Sequence, residues 1–107
     1  MDLMKMKQYE IKYADRYYED LYEILDYLNN FSKQTAQKYF KLIDKKIDTL
    51  RMAPLGVSYV RNERLRAKGF RCLYIRNYCL FFKVEEENAL VKIERILYSK
   101  REFDLIL

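Results

Sequence analysis

From Gln8 to Tyr13 polar and apolar residues alternate, the period-two signature of a short strand. The period then changes. Tyr17, Leu21, Ile24, Leu25 and Leu28 recur at helical spacing after Asp15, a plausible N-cap, and the Asn29-Asn30 pair should stop the helix. Ser32 can cap a second helix, whose apolar stripe is Ala36, Tyr39, Phe40, Ile43, Ile47 and Leu50, and which ends before Pro54. Two amphipathic helices joined by so short a link must fold back on each other as an αα-hairpin. Met52 to Lys68 reads as a loop.

The last third returns to β-rich runs: Gly69 to Ile75, Tyr78 to Val84 and Ala89 to Tyr98, separated by Arg76-Asn77 and by an acidic turn from Glu85 to Asn88. With Arg76-Asn77 as the turn, Ile75 pairs with Tyr78, Tyr74 with Cys79 and Cys72 with Phe81. The predicted fold class is α+β, in the order β-α-α-β-β-β. A short first strand and a three-stranded meander form one antiparallel sheet with the helical hairpin on one face. The predicted core is Ile11, Leu21, Ile24, Leu28, Ile43, Ile47, Leu50, Leu73, Leu80, Phe82, Val91, Ile93 and Leu97. The opposite face would offer Arg71, Lys83, Lys92 and Tyr98 to a partner, subject to a one-residue register shift.

At 107 residues this is one domain, residues 1–107, and two Gly and one Pro leave no room for linkers or repeats. No apolar run is long enough for a membrane span, and the N-terminus has no signal-like core, so the expectation is a cytoplasmic protein. In that compartment Cys72 and Cys79, diagonal across the hairpin, are expected to be reduced. With no His, two cysteines make a poor zinc site, so neither metal nor cofactor is expected.

Net charge is +5, and its placement matters more than its sum. Arg61, Arg64, Arg66, Lys68, Arg71 and Arg76 face only Glu63 within their stretch, directly beside tyrosine-rich strands. Arginine binds phosphate and tyrosine stacks on bases, which points to nucleic acid; an acidic protein would be drawn to the same block. Phe103, Leu105, Ile106 and Leu107 make an apolar tail for the helices or for a partner to cover.

The ordered set of these segments resembles the RelE/ParE superfamily of bacterial type II toxin-antitoxin toxins. It includes Asp20-Leu21 with Ile24 and Tyr27, then Ala36, Tyr39, Ile43, Ile47, Leu50 and Pro54. Gly69-Phe70-Arg71, Asn77-Tyr78, Phe81-Phe82-Lys83-Val84 and Arg95 to Arg101 complete it. The resemblance implies a cognate antitoxin as partner and growth inhibition as effect. RelE-like members cut messenger RNA on the ribosome through its 2′-hydroxyl, without metal; ParE-like members poison DNA gyrase. Carried over, Arg71 and Arg101 would stabilise phosphate and Tyr98 would stack or move a proton. Arg64, Arg66, Lys68, Arg76 and Lys100 would guide RNA. Two positions depart from the RelE pattern: Cys79 stands where an arginine is usual, and Leu73 where a lysine is. The arginine and tyrosine placement tips the expectation to the RelE-like, ribosome-dependent mRNA endoribonuclease, with the gyrase poison as the alternative. Cys79 and the long hairpin favour the gyrase poison, and a degenerate toxin that only binds antitoxin or RNA is the third alternative. The apolar stripe is compatible with a homodimer.

Overall fold

The computed structural model describes residues 7–100 and 107. Strand β1 (Glu10–Tyr13) leads into α1 (Asp15–Asn29) and α2 (Lys33–Asp48). Two 3₁₀ turns, Thr49–Arg51 and Pro54–Gly56, and a short helix α3 (Glu63–Ala67) follow. The chain ends in β2 (Arg71–Ile75), β3 (Tyr78–Glu85) and β4 (Leu90–Tyr98). The expected order of strands and long helices holds. The expected loop from Met52 to Lys68 is more structured, because Asn62 caps α3 by accepting the Leu65 N–H at 3.0 Å.

Local chemistry accounts for the helix ends. Ser32 Oγ accepts the Thr35 N–H at 2.9 Å and starts α2. Asp15 is not the N-cap of α1: extended Ala14 takes that position, and Asp15 lies in the first turn, where its charge still meets the positive end of the helix dipole.

The sheet order is β1-β4-β3-β2. The β2–β3 register is the predicted one, from Ile75 opposite Tyr78 to Arg71 opposite Phe82. One expectation is corrected: β1 runs parallel to β4, so the sheet is mixed rather than antiparallel. A four-residue alternating strand satisfies either direction. The long crossover through the helices and hairpin supplies the connection a parallel pair needs.

A β-bulge corrects the predicted core. Phe81 lies opposite Arg95 and Phe82 opposite Ile93, leaving Glu94 as the extra residue. Past the bulge the alternation changes phase. Ile93 and Ile96 therefore both join the main core with Ile24, Ile43, Ile47, Leu80 and Phe82 under the helices. Leu97, expected there, instead joins a second cluster with Leu65, Phe70, Cys79 and Phe81. The helices cover one face of the sheet, while α3 and Phe70 close part of the other. Leu107 packs against this second cluster rather than on the helices; Phe103, Leu105 and Ile106 lie outside the described residues.

Cys72 and Cys79 are joined by a disulfide, which corrects the expectation of reduced thiols. Their diagonal placement on one face of the hairpin puts the Cα atoms 5.9 Å apart, within the usual range for such a bond.

Candidate functional site

The register decides which candidate residues meet. Arg71 opens β2 opposite Phe82, whereas Tyr98 closes β4 opposite Tyr78, itself opposite Ile75. Four residues of strand, about 13 Å, therefore separate the two rows. Both side chains belong by register to the helix-covered face, not to the outer one predicted for them. Lys83 and Lys92 do lie on the outer face, opposite each other; Lys83 sits 4.4 Å from the Phe70 ring centroid, and Lys92 pairs with Glu85 at 3.0 Å.

At the first end, Arg71 is only 9% exposed. Its Nη1 donates to the Val57 carbonyl at 2.6 Å and to that of Leu55 at 3.5 Å, and its guanidinium lies 3.9 Å from the Tyr59 ring centroid. A bridge between Tyr59 and Arg71 and a bond from Cys72 N–H to the Ser58 carbonyl lay the same loop along the β2 edge. Arg71 thus spends Nη1 and one face of its guanidinium on fastening residues 55–59. Arg61 and Arg66 line the groove of about 340 Å³ beside it. Arg64, Arg66 and Lys68 are exposed on α3 and at its end.

At the other end, Tyr98 is 43% exposed. It lines a groove of about 470 Å³ between α1, α2 and the sheet, with Tyr27, Tyr39, Asn77, Tyr78 and Glu23 among its neighbours. Burial, then the nearby phenols of Tyr39, Tyr27 and Tyr98, push the Tyr78 hydroxyl above its ordinary value. The β2–β3 turn borders this end: Arg76 adopts a positive φ of 55° and is exposed, and the Asn77 carbonyl accepts the Ser99 N–H at 2.8 Å. Lys100, next in the chain, is exposed. Arg101 lies outside the described residues.

One pair on this wall escaped the sequence reading. Asp20 of α1 is 6% exposed and takes Arg95 in a fork, from Nε at 2.6 Å and Nη2 at 2.8 Å. The same carboxylate accepts the Ile96 N–H at 3.2 Å. The reason lies in the short first strand. The Ala14 N–H still bonds the Ile93 carbonyl, but the chain then turns into α1, and Asp20 serves the β4 edge in place of a strand. The ionic hydrogen bond from Arg95 raises its already high pKa. Seventy-five residues separate the partners, and nothing in either segment by itself announces them.

Among the described residues no group of three or more acidic or Cys side chains could hold a metal ion, and no helix is long and apolar enough to cross a membrane.

Comparison with known structures places this arrangement. A chain from the chromosomal ParDE toxin-antitoxin system of P. aeruginosa superposes with a TM-score of 0.71 at 20% identity, covering 88% of this chain and 99% of that one. The toxin-antitoxin complex RelBE2 of Mycobacterium tuberculosis is similar at a TM-score of 0.56 and 21% identity, over 88% of this chain and 94% of that one. These two likenesses establish the fold. No curated protein matches by sequence. The model of the family described as the ParE toxin of the type II toxin-antitoxin system parDE, however, matches residues 11–103. With all of β1 but its first residue, the helical hairpin and the whole meander inside that span, the chain belongs to the ParE family of type II toxins.

Proposed function

We propose that this toxin acts in the ParE manner, as a poison of DNA gyrase that cleaves no RNA itself, and that a cognate antitoxin holds it in check. The observation that carries this reading is the separation of Arg71 from Tyr98. Metal-free RNA cleavage needs phosphate-clamping and proton-transferring groups around one phosphate. Here the arginine carried over from the ribonuclease pattern is buried against Val57 and Tyr59, about four strand residues from the tyrosine. Cys79, which stands where an arginine is usual in the ribonucleases, is wholly buried in a disulfide. The similar P. aeruginosa and M. tuberculosis structures come from toxin-antitoxin systems, which supports the antitoxin as partner.

One observation favours the ribosome-dependent ribonuclease as a second reading. Tyr98 and the turn bearing Arg76 are joined at one end of the sheet through Ser99 and Asn77, with Lys100 following. On that reading these cations steer mRNA on the ribosome and Tyr98 stacks on a base. Arg101 supplies the phosphate contact, and Arg64, Arg66 and Lys68 add electrostatic guidance.

Brief induction in a bacterium, with DNA and protein synthesis scored separately, tests the choice. The gyrase reading expects DNA synthesis to fail first and gyrase-DNA cleavage complexes to accumulate. Protein synthesis failing first, with transcripts cut in coding frame, would replace it by the ribonuclease.

A further inference from the structure

The groove at the Tyr98 end has a chemistry of which the ribonuclease reading uses only Tyr98. Its walls carry four phenol rings: Tyr27 from α1, Tyr39 from α2, Tyr78 from β3 and Tyr98 from β4. Tyr78 is central, 6.1 Å from Tyr39 at 87° and 6.1 Å from Tyr98 at 65°, centroid to centroid. Such edge-to-face packing does not consume both faces of every ring, and the faces carry the negative side of the aromatic quadrupole. The charged side chains on the wall are both carboxylates. Asp20 is matched by Arg95, and Glu23 stands exposed beside it. On a chain with net charge +5, this is an anionic, aromatic notch.

We propose that this groove receives an arginine side chain of a partner protein, its guanidinium lying on the exposed face of Tyr98, beside the buried Tyr78 ring, and donating to Glu23. Arginine fits better than lysine, because a planar guanidinium stacks on a ring while its fork still meets a carboxylate. A nucleotide fits worse, since its phosphate would approach Asp20 and Glu23. Arg76 and Lys100 border the groove without lining it, so they would guide an acidic segment flanking the inserted arginine. The inference rests on the reading that the toxin docks a protein. Its test addresses the groove alone, so failure there would leave antitoxin binding, measured separately, untouched.

The test is a titration of the intact toxin, following the tyrosine ring signals by NMR. The probes are a blocked Ala-Arg-Ala peptide, the same peptide with citrulline for arginine, and adenosine monophosphate. The arginine peptide should shift the Tyr39, Tyr78 and Tyr98 signals saturably, with the isosteric but neutral citrulline peptide clearly weaker. Both positions are exposed: Tyr98→Leu should weaken binding roughly threefold to thirtyfold, the span of one cation–π contact, and Glu23→Gln about 1.5-fold to fivefold, that of an exposed ion pair. Unchanged amide spectra would confirm that both variants are folded. Equal binding of the citrulline peptide, the same ring shifts produced by adenosine monophosphate, or no saturable shift with the arginine peptide at millimolar concentration would overturn the proposal.

Discussion

The two ends of the β2–β3–β4 ladder carry the same kinds of side chain and use them in opposite ways. At one end Arg71 and Tyr59 stack against each other, and the guanidinium is tied to loop carbonyls, so arginine and tyrosine close the structure. At the other, Tyr27, Tyr39, Tyr78 and Tyr98 stand around a groove, and Asp20 on its wall is taken up by Arg95, which reaches it from the ladder row next to that of Arg71. Residue type therefore does not mark a site. What distinguishes the ends is whether a neighbouring segment consumes the donors and ring faces: residues 55–59 do so for Arg71, and no described segment does so for Tyr98.

Removing the carboxylate of Asp20 should have the largest effect on this contrast. Asp20→Ala strips a nearly buried arginine of its partner and leaves the Ile96 N–H without its acceptor, a loss of about 3–5 kcal/mol. Chemical denaturation would measure it. A loss under about 1 kcal/mol would mean that water replaces the carboxylate freely.

Arg71→Ala comes next, at about 2–3 kcal/mol, because an ionic hydrogen bond and a ring contact vanish together. Proteolysis between Leu55 and Tyr59 should accelerate in this variant. If toxicity fell sharply while stability and protease resistance stayed at wild-type levels, Arg71 would have a direct functional role and the closed end would be misread.

Tyr98→Ala should cost only about 1 kcal/mol, since the ring is half exposed and packs edge-on against Tyr78. Its effect on partner binding should exceed its effect on thermal stability, the reverse of Arg71→Ala. Comparing the two variants in a single antitoxin pull-down would show whether the ends differ as described.

The smallest effect should appear on the alkaline side. Burial holds the hydroxyls of Tyr13, Tyr17 and Tyr78 above the ordinary tyrosine value near 10, with desolvation the largest cause in each. A raised folded-state value means that the unfolded chain loses these protons first. The contribution to stability is thus complete below pH 10 and declines as pH climbs from there toward the folded values. Melting curves should be flat in this respect from pH 7 to 9 and fall above 10, less steeply in Tyr17→Phe.

Much of the architecture was legible because it rests on periodicity. The helical stripes through Leu21, Ile24 and Leu28 and through Ile43 and Ile47, the Ser32 cap and the Arg76-Asn77 register are local consequences of residue order. The parallel direction of β1, the bulge at Glu94 and the disulfide were not legible. A four-residue strand has no directional preference of its own. A bulge reverses every side chain beyond it without altering composition. Two thiols at diagonal positions bond or stay apart according to a few tenths of an ångström.

For the site, the sequence by itself determined the ingredients: a basic stretch from Arg61 to Arg76, a wealth of tyrosine, and the ordered segments of a RelE/ParE toxin. Only the tertiary structure decided their use. Hydrogen-bond donors and ring faces are finite, and whichever segment packs nearest takes them. Thus the 55–59 loop took Arg71, Asp20 took Arg95 from 75 residues away, and four tyrosines from α1, α2, β3 and β4 were left around one groove.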